Sequence, residues 1–410
     1  MKIGLLLPQI AKGGAERAAT RISTILSKNH DVYLIVFCQE CKIAYPYEGK
    51  LIDLGVKSTK TIFGKLIANK KRTHRLKKIK KDLKLDAVIS FTQSPNYVNV
   101  KAKVKNCKAI VSIRNFIFTE KQSGLTSKLL LKTTKTILTK SNLVLPVSNE
   151  LNDSIIKRYP NVKNIKQKVI TLYNPYNIDE ITNLANEDYM FNQYKEDFCF
   201  CTVGRLIHQK GFWNLIKSFY LFSKKHKNAK LFIIGQGNDK EKLEDLIKKL
   251  NLEDNVICGA HAEKGKYVDN VILLGQMDNP FKVISKCDVY ILSSLFEGFP
   301  NALVEAMACG LPVIASNCQS GPKEILDDKS VLEVEDVFQA HYGILYKNYS
   351  SLDEDYSDNI TQEHHFLANA MELLYNNEKL RNYYKQKSLE RAKKFSYEAT
   401  KHKLEEILKD

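Results

Sequence analysis

Short apolar runs alternate with amphipathic helical patterns along nearly the whole chain. This alternation predicts parallel β-sheets, because each parallel strand needs a crossover connection, usually a helix, before the next one. The chain has 410 residues, which is too long for one ordinary hydrophobic core. Its length therefore suits two α/β domains.

Two series of predicted strands divide the sequence. The first series comprises residues 3–7, 32–37, 87–90, 109–113 and 143–147. The second comprises residues 198–203, 231–234, 271–274, 289–292 and 312–315. We therefore expect two Rossmann-like, doubly wound α/β domains that face a cleft, with ligands at the carboxyl ends of the strands.

The composition between and after the two series sets the domain ranges. Residues 176–197 are polar with few strand signals, which predicts a linker between an N-terminal domain, 1–175, and a C-terminal domain, 198–380. Residues 381–410 carry a polar, amphipathic pattern. We interpret them as a helical tail that packs back on the N-terminal domain.

The N-terminus and the cysteines predict a cytoplasmic protein. Residues 1–8 are only briefly apolar and no small-residue cleavage site follows, so they are interpreted as a strand and not as a signal peptide. Nine scattered cysteines are typical of reduced thiols. No run reaches the roughly 18 consecutive apolar residues that a membrane-spanning helix requires.

The formal net charge of +17 implies an anionic partner. Residues 57–84 and 121–140 interleave many cations with apolar residues at helical spacing. Such helices either lie on an anionic membrane or present a solvated face, and we expect membrane contact at the inner face of the cell membrane. Nucleic acid is not expected, because the segments lack interleaved aromatic residues and no known binding module is present.

Two loops that follow predicted strands carry candidate anion-binding residues. Gly13 and Gly14 follow the first strand and open a helix, whose free amides attract an anion. The alternative is a simple strand-to-helix turn. Arg205 and Lys210 follow the strand at 198–203, where the two cations can bracket a diphosphate. The alternative there is a basic surface loop.

A third segment, residues 295–310, contains two carboxylates around a predicted helix start. Pro300 breaks the chain and predicts a helix that begins near Asn301 and ends at Gly310. Glu297 would precede this helix and Glu305 would lie about one turn inside it. One carboxylate could accept hydrogen bonds from sugar hydroxyls and the other from ribose hydroxyls. The alternative is that Glu305 pairs with a core Arg or Lys.

Together these segments resemble the retaining glycosyltransferases of family 4, which share the two-domain GT-B fold. The resemblance extends to enzymes that build bacterial surface glycans on lipid-linked saccharides. It covers nearly the whole chain and is most specific in the second domain. The matching motifs are GGAE at 13–16, GR and KG at 204–211, GQG at 235–237, NPF at 279–281, the two glutamates at 297 and 305, and GPKEI at 321–325.

The resemblance implies three catalytic residues. Arg205 and Lys210 would hold the donor diphosphate and stabilise it as the leaving group, and Glu297 would contact the donor sugar. Departure of a nucleoside diphosphate requires its growing negative charge to be neutralised by fixed donors. Two cations and a helix N-terminus could do this without a metal ion, and no cofactor besides the donor substrate is expected.

Further donor contacts are also implied by the resemblance. Glu305 would bind the ribose, and amides near Asn301, Ala302 and Leu303 would contact phosphate. Gly14 would close on the donor from the first domain.

One position departs from the family pattern. Many relatives carry a His after the strand that corresponds to residues 109–113, and that His contacts the sugar. Here Arg114 follows the strand, where it could bind the donor sugar, the diphosphate or an anionic acceptor. The inserted residues 258–270 also depart from the pattern, and we assign them no role.

The sequence therefore predicts an enzyme that moves a hexose or N-acetylhexosamine from a UDP-sugar to an acceptor hydroxyl with retention. A polyprenyl-diphosphate-linked saccharide is the expected acceptor. One alternative is a sugar-nucleotide epimerase or a phosphorylase on the same fold. A second alternative is a non-catalytic protein that binds a membrane or another polyanion.

Overall fold

The computed structural model describes residues 1–57, 61–114, 125–189, 191–252, 270–327 and 333–409. The chain divides into two compact units. The first is formed by Met1–Tyr176 together with Tyr397–Asp410, and the second by Asn177–Ser396.

The first unit is built on a parallel sheet of six strands. They are β1 (Lys2–Leu7), β2 (Asp31–Val36), β3 (Lys50–Asp53), β4 (Ala87–Phe91), β5 (Lys108–Ile113) and β6 (Leu143–Pro146). The strands lie in the order β3-β2-β1-β4-β5-β6, and each neighbouring pair is parallel. The order reverses between β1 and β4, as in Rossmann-type folds.

Helices connect these strands and cover the sheet. They are α1 (Gly14–Leu26), α2 (Ile62–Asp82), α3 (Gln93–Lys101), α4 (Leu125–Lys140), α5 (Asn149–Arg158) and α6 (Ile165–Lys168). The covered strands are buried on both faces: Leu5, Leu6 and Leu7 of β1 are all inaccessible to solvent. This two-sided burial explains why the strands form continuous apolar runs in the sequence.

The second unit repeats the architecture with one antiparallel edge strand. Its strands are β7 (Phe198–Val203), β8 (Ala229–Ile234), β9 (Val271–Gly275), β10 (Val289–Leu292), β11 (Val313–Ser316), β12 (Val337–Gln339) and β13 (Ile344–Tyr346). They lie in the order β12-β13-β11-β10-β7-β8-β9. Only β12 is antiparallel to its neighbour among the described pairs. Here the order reverses between β7 and β10.

The helices of the second unit flank its sheet. They are α7 (Ile178–Ala185), α8 (Phe212–Ser223), α9 (Lys240–Lys249), α10 (Phe281–Ile284), α11 (Asn301–Ala308), α12 (Pro322–Leu326), α13 (Gln362–Tyr375) and α14 (Glu378–Lys393). Helix α8 is almost entirely buried. Its Trp213 and Phe219 belong to a large core cluster that also includes Met371 of α13.

The fold class expected from the sequence is confirmed, since both units are α/β with Rossmann-like sheets. All ten predicted strands are present, but β3, β12 and β13 were not predicted. Strand β3 has no fully buried residue, and β12 and β13 have three residues each. Strands this short or this exposed leave little apolar pattern in a sequence.

The observed division differs from the sequence-based ranges at the predicted linker, most of which belongs to the second unit, and at the C-terminus. Helix α14 belongs to the second unit, where Ser388 Oγ donates to the carbonyl of Leu311 at 2.6 Å. The last helix, α15 (Tyr397–Lys409), groups with the first unit. Its Leu404 and Ile407 pack into the core cluster that surrounds β1.

Candidate functional site

The point of strand-order reversal in the second unit carries the predicted catalytic residues. Ligands of open α/β sheets bind outside the carboxyl ends of the strands at such a reversal. The loop that leaves β7 contains Arg205 and Lys210, and the loop that leaves β10 contains Glu297. The topology therefore places all three at the expected ligand-binding edge.

The loop after β7 is fixed by close contacts on both sides. Gly211 has a left-handed φ of 59°, and a Cβ there would lie 2.6 Å from the carbonyl oxygen of Ser293. Gly235, after β8, has a φ of 151°, and its Cβ would lie 1.8 Å from the carbonyl oxygen of Gly204. Glycine is required at both positions. These close contacts fix the backbone of the loop that carries Lys210.

Lys210 and Glu297 form an ion pair across the two loops. The Nζ of Lys210 lies 2.6 Å from Oε1 of Glu297, and Ser294 Oγ donates to the same oxygen at 2.7 Å. The side chains retain 17% and 8% exposure. Among the described residues, the other carboxylate oxygen, Oε2, has only a longer contact of 3.4 Å from Gln209 Nε2. It therefore keeps capacity to accept hydrogen bonds from a ligand.

The loop that carries Glu297 is braced from the next strand. The amide of Glu297 donates to the carbonyl of Gln319 at 3.0 Å, and Ser320 Oγ donates to the carbonyl of Gly298 at 3.0 Å. Both partners follow β11. This bracing fixes the backbone of the predicted sugar-contacting residue.

Helix α11 begins at Asn301, as predicted, and Gly310 follows its end with a left-handed φ of 80°. Glu305 lies inside the helix and is 6% exposed. Pro300 precedes the helix, and its side chain has no group that can cap the first-turn amides. The amide of Leu303 is already engaged by the carbonyl of Pro300 at 3.1 Å, because the first turn is tight. Its proposed phosphate contact would have to displace that bond.

Arg205 differs from Lys210 in its environment. Its side chain is exposed, although it shares a loop with the paired Lys210. The structure thus brings Lys210 and Glu297 together and leaves Arg205 exposed on the loop that also carries Lys210.

In the first unit, the Gly13–Gly14 turn has the predicted position, but the side chain of Glu16 lies against it. Gly14 is the first residue of α1. The carboxylate of Glu16 folds back, so that a Cβ on Gly13 would lie 2.2 Å from Glu16 Oε2. Burial raises the pKa of Glu16, and a hydrogen bond from its own backbone amide opposes that rise. The donor contact of Gly14 remains a prediction.

Arg114 directly follows β5 at the carboxyl edge of the first sheet. It is buried, and its guanidinium carbon lies 5.5 Å from the ring centre of Phe91. Burial lowers the pKa of Arg114 to about 10, and the phenol of Tyr176 partly opposes this shift. Its Nη1 and Nη2 atoms have no hydrogen-bond partner among the described residues.

Sequence reasoning did not single out Ser294 and Gln209, which hold the Glu297 carboxylate. A usable signal exists for Ser294, because it is a polar residue just after the buried strand β10. Polar side chains at the carboxyl end of a buried parallel strand commonly face ligands.

The basic segment at 57–84 contains helix α2 but does not present all of its cations to solvent. Phe63, Leu66 and Ile67 are exposed, as the membrane hypothesis requires. Arg72 and Lys80 are instead buried, because they lie on the face that packs against the unit. They cannot contribute to a membrane surface.

Two further observations concern metals and membranes. The described residues contain no group of three or more His, Cys, Asp or Glu side chains that could hold a metal ion. No helix within the described ranges is long and apolar enough to cross a membrane. The insertion predicted at 258–270 lies outside the described residues except for Asn270.

The chain is similar in sequence to known glycosyltransferases. Residues 197–346 match the family described as Glycosyl transferases group 1. The chain is 34% identical to an uncharacterized glycosyltransferase of Methanocaldococcus jannaschii over 80% of each chain. It is 27% identical to the N-acetylgalactosamine-N,N'-diacetylbacillosaminyl-diphospho-undecaprenol 4-alpha-N-acetylgalactosaminyltransferase of Campylobacter jejuni, over 96% of this chain and 95% of that one.

The fold is also found among solved structures. The crystal structure of Anabaena Alr3699/HepE in complex with UDP matches with a TM-score of 0.71 and 18% identity, over 100% of both chains. At this identity the likeness shows the fold alone, and it confirms the predicted GT-B fold. Since a relative with more than 30% identity is matched over 80% of both chains, and residues 197–346 match the family model, the chain belongs to the group 1 glycosyltransferases.

Proposed function

We propose that this glycosyltransferase transfers a hexose or N-acetylhexosamine from a UDP-sugar to a hydroxyl of a polyprenyl-diphosphate-linked saccharide, with retention. The observation that carries the proposal is the Lys210–Glu297 ion pair at the strand-order reversal of the second unit. It joins a cation and a hydrogen-bond acceptor at the edge where a nucleotide-sugar would bind.

The donor site follows from the chemistry of these groups. A sugar nucleotide presents hydroxyls next to an anionic diphosphate, so its site needs acceptors and cations side by side. Glu297 Oε2 can accept from a sugar hydroxyl while Oε1 stays bonded to Ser294. Lys210 can then turn towards the diphosphate, and Glu305 of α11 would accept from the ribose hydroxyls.

Leaving-group stabilisation is assigned to Arg205 and Lys210, with amides of α11. Negative charge grows on the diphosphate as the glycosidic bond breaks, and fixed cations stabilise that charge most in the transition state. The Arg205 side chain is exposed, so a diphosphate can reach it. Its planar guanidinium could then donate two parallel hydrogen bonds to the diphosphate. We propose that these groups act without a metal ion or a further cofactor.

The acceptor and the stereochemistry rest on relatives and on the family resemblance. The Campylobacter relative is named for transfer to a diphospho-undecaprenol-linked saccharide. The resemblance to family 4 supports retention. We propose the same acceptor class here, and nuclear magnetic resonance of the product would read the anomeric configuration directly.

Helix α2 supports the proposal that the protein binds the anionic inner face of the cell membrane. Its first two turns expose Phe63, Leu66 and Ile67 beside the exposed Lys65 and Lys70. Apolar side chains flanked by lysines bind the boundary between headgroups and acyl chains. A lipid-linked acceptor would be reached from such a position.

Isothermal titration of the intact protein with UDP and a panel of UDP-sugars tests the donor assignment. We expect UDP and one UDP-sugar to bind. An absence of binding by every one of them would refute the assignment. Turnover that requires a lipid-linked acceptor would exclude an epimerase, which consumes a UDP-sugar with no acceptor present.

A further inference from the structure

Arg114 is a buried cation without a hydrogen-bonded counterpart. It is 9% exposed, and both Nη1 and Nη2 are buried with no partner among the described residues. The ring of Phe91 stacks on the guanidinium. A stacked ring cannot accept from the N–H groups, which lie in the plane of the guanidinium.

The other buried lysines and arginines of the described chain all have acceptors. Arg72 stacks on Phe37 in a similar way, yet its Nε and Nη2 both donate to the carbonyl of Val56, at 3.2 and 3.0 Å. The remaining acceptors are Asn99 for Lys80, Asp355 for Lys217, Asn270 for Lys230 and Ile325 for Arg391. This fold therefore satisfies its structural cations, and Arg114 is the exception.

Arg114 also lies where a ligand would meet it. It follows β5, and Phe91 ends the neighbouring strand β4. Tyr176 is close enough to influence the charge of Arg114. The carboxyl edge of an open α/β sheet is its ligand-binding edge.

We infer that Arg114 binds an oxyanion carried by a substrate, a phosphoryl group or a carboxylate that accepts from both Nη atoms. This inference rests on the proposed function, which supplies three sources: the donor diphosphate, the acceptor diphosphate and the carboxylate of a uronic acid donor. A guanidinium presents two parallel N–H donors that fit two oxygens of either group. A hydroxyl offers a single oxygen, whereas the two Nη atoms present two parallel donors.

Thermal unfolding of the full-length protein without ligand separates this role from a structural one. We compare wild type, Arg114→Met and Lys163→Gln, which removes one charge at an exposed position of the same unit. Removing an uncompensated buried charge should leave the melting temperature unchanged or raise it by roughly 2 °C. A fall of more than about 3 °C in Arg114→Met alone would show a structural role and overturn the inference.

Isothermal titration of the same three proteins identifies the oxyanion. The probes are UDP, UDP-glucose, UDP-glucuronic acid and farnesyl diphosphate. We expect Arg114→Met, unlike Lys163→Gln, to bind at least one anionic probe roughly ten-fold or more weakly than wild type. Loss with every nucleotide indicates the donor diphosphate, loss with UDP-glucuronic acid alone indicates a carboxylate, and loss with farnesyl diphosphate indicates the acceptor.

Three outcomes separate a failure of the inference from a failure of the donor assignment. If wild type and Arg114→Met bind all four probes equally, the inference fails while the donor assignment stands. If wild type binds farnesyl diphosphate through Arg114 but binds no nucleotide, the donor assignment fails and the inference stands. If wild type binds none of the probes, both fail.

Discussion

The Nζ of Lys210 lies 2.6 Å from Oε1 of Glu297, although the two residues belong to loops that leave different strands. Strands β7 and β10 are neighbours at the strand-order reversal, so the fold itself brings the pair together. Ser294 holds the same carboxylate oxygen. Contacts within the second unit therefore fix the Glu297 carboxylate from two sides.

The first prediction concerns this pair. Lys210→Met should lower the free energy of unfolding by about 1–3 kcal/mol, because it leaves a buried carboxylate short of a partner. Adding Glu297→Gln should restore part of the loss, since the orphaned charge is then removed. Urea titration followed by the fluorescence of Trp213, the single tryptophan, measures the second unit. Strictly additive effects would show that the two side chains do not interact.

The second prediction assigns Arg205 to the transition state. Arg205→Ala should lower kcat by roughly 10²-fold while the Kd for the UDP-sugar changes by no more than about three-fold, because its charge matters most as the diphosphate departs. Arg205→Lys should retain part of the activity. Steady-state kinetics and titration with the UDP-sugar measure both quantities. An unchanged kcat with a weakened Kd would place Arg205 in ground-state binding instead.

The third prediction concerns the ribose contact. Glu305→Ala should weaken UDP binding by roughly 10–100-fold, because hydrogen bonds from ribose hydroxyls to a charged acceptor are lost. Glu241→Ala, at an exposed position in the first turn of α9, is the matched control and should bind UDP normally. Titration calorimetry measures both variants. If Glu305→Ala and Glu241→Ala bind UDP with equal affinity, Glu305 does not contact the ribose and its role is structural.

The sequence was sufficient for the larger features of the fold and for assigning Arg205, Lys210 and Glu297 to loops that follow strands of the second unit. Strands buried on both faces left clear apolar runs, whereas the half-exposed β3 did not. Lys210 and Glu297 could be assigned to neighbouring loops, since each follows a strong strand signal. Their mutual contact could not, because it depends on side-chain direction and on the glycine that fixes the loop.

Burial of charged side chains was the least predictable feature. In α2, lysines and apolar residues occur on every side, so the sequence does not indicate which face is covered. In the structure the covered face of α2 is the one that contains Lys80. There Lys80 Nζ donates to Oδ1 of Asn99, in α3, at 2.7 Å. Likewise, nothing in the sequence indicates that Glu16 folds back onto the N-terminus of its own helix.

The fourth prediction tests the membrane surface of α2. Phe63 is 80% exposed and Ile67 is 56% exposed. The double variant Phe63→Ser, Ile67→Ser should bind anionic liposomes at least roughly ten-fold more weakly, because apolar burial and lysine attraction act together. Leu389→Ser, at an exposed apolar position of α14, is the control, and UDP binding should be unaffected in both. A wild-type protein that ignores anionic liposomes at low salt would refute the membrane assignment.

The fifth prediction concerns His364, a buried residue that the fold holds in its neutral form. The amide of Thr361 donates to Nδ1 at 2.9 Å, and Nε2 lies 3.1 Å from Asn214 Oδ1. Both ring nitrogens are thus engaged with one acting as acceptor, an arrangement that only the neutral imidazole satisfies. Burial, with the nearby charge of Lys217 as a second cause, lowers the pKa of His364 to about 4.

The sign of the resulting pH dependence follows from this lowered pKa. Between roughly pH 6.5 and 4 the unfolded chain binds a proton at this position and the folded chain does not, so stability is complete above that window and falls as the pH drops through it. The expected loss is about 3 kcal/mol. His364→Gln should flatten the slope of unfolding free energy between pH 7 and 4.5, measured by urea titration with Trp213 fluorescence, whereas His402→Gln, at an exposed position of α15, should keep it. Parallel slopes in wild type and His364→Gln would mean that His364 titrates normally in the folded protein.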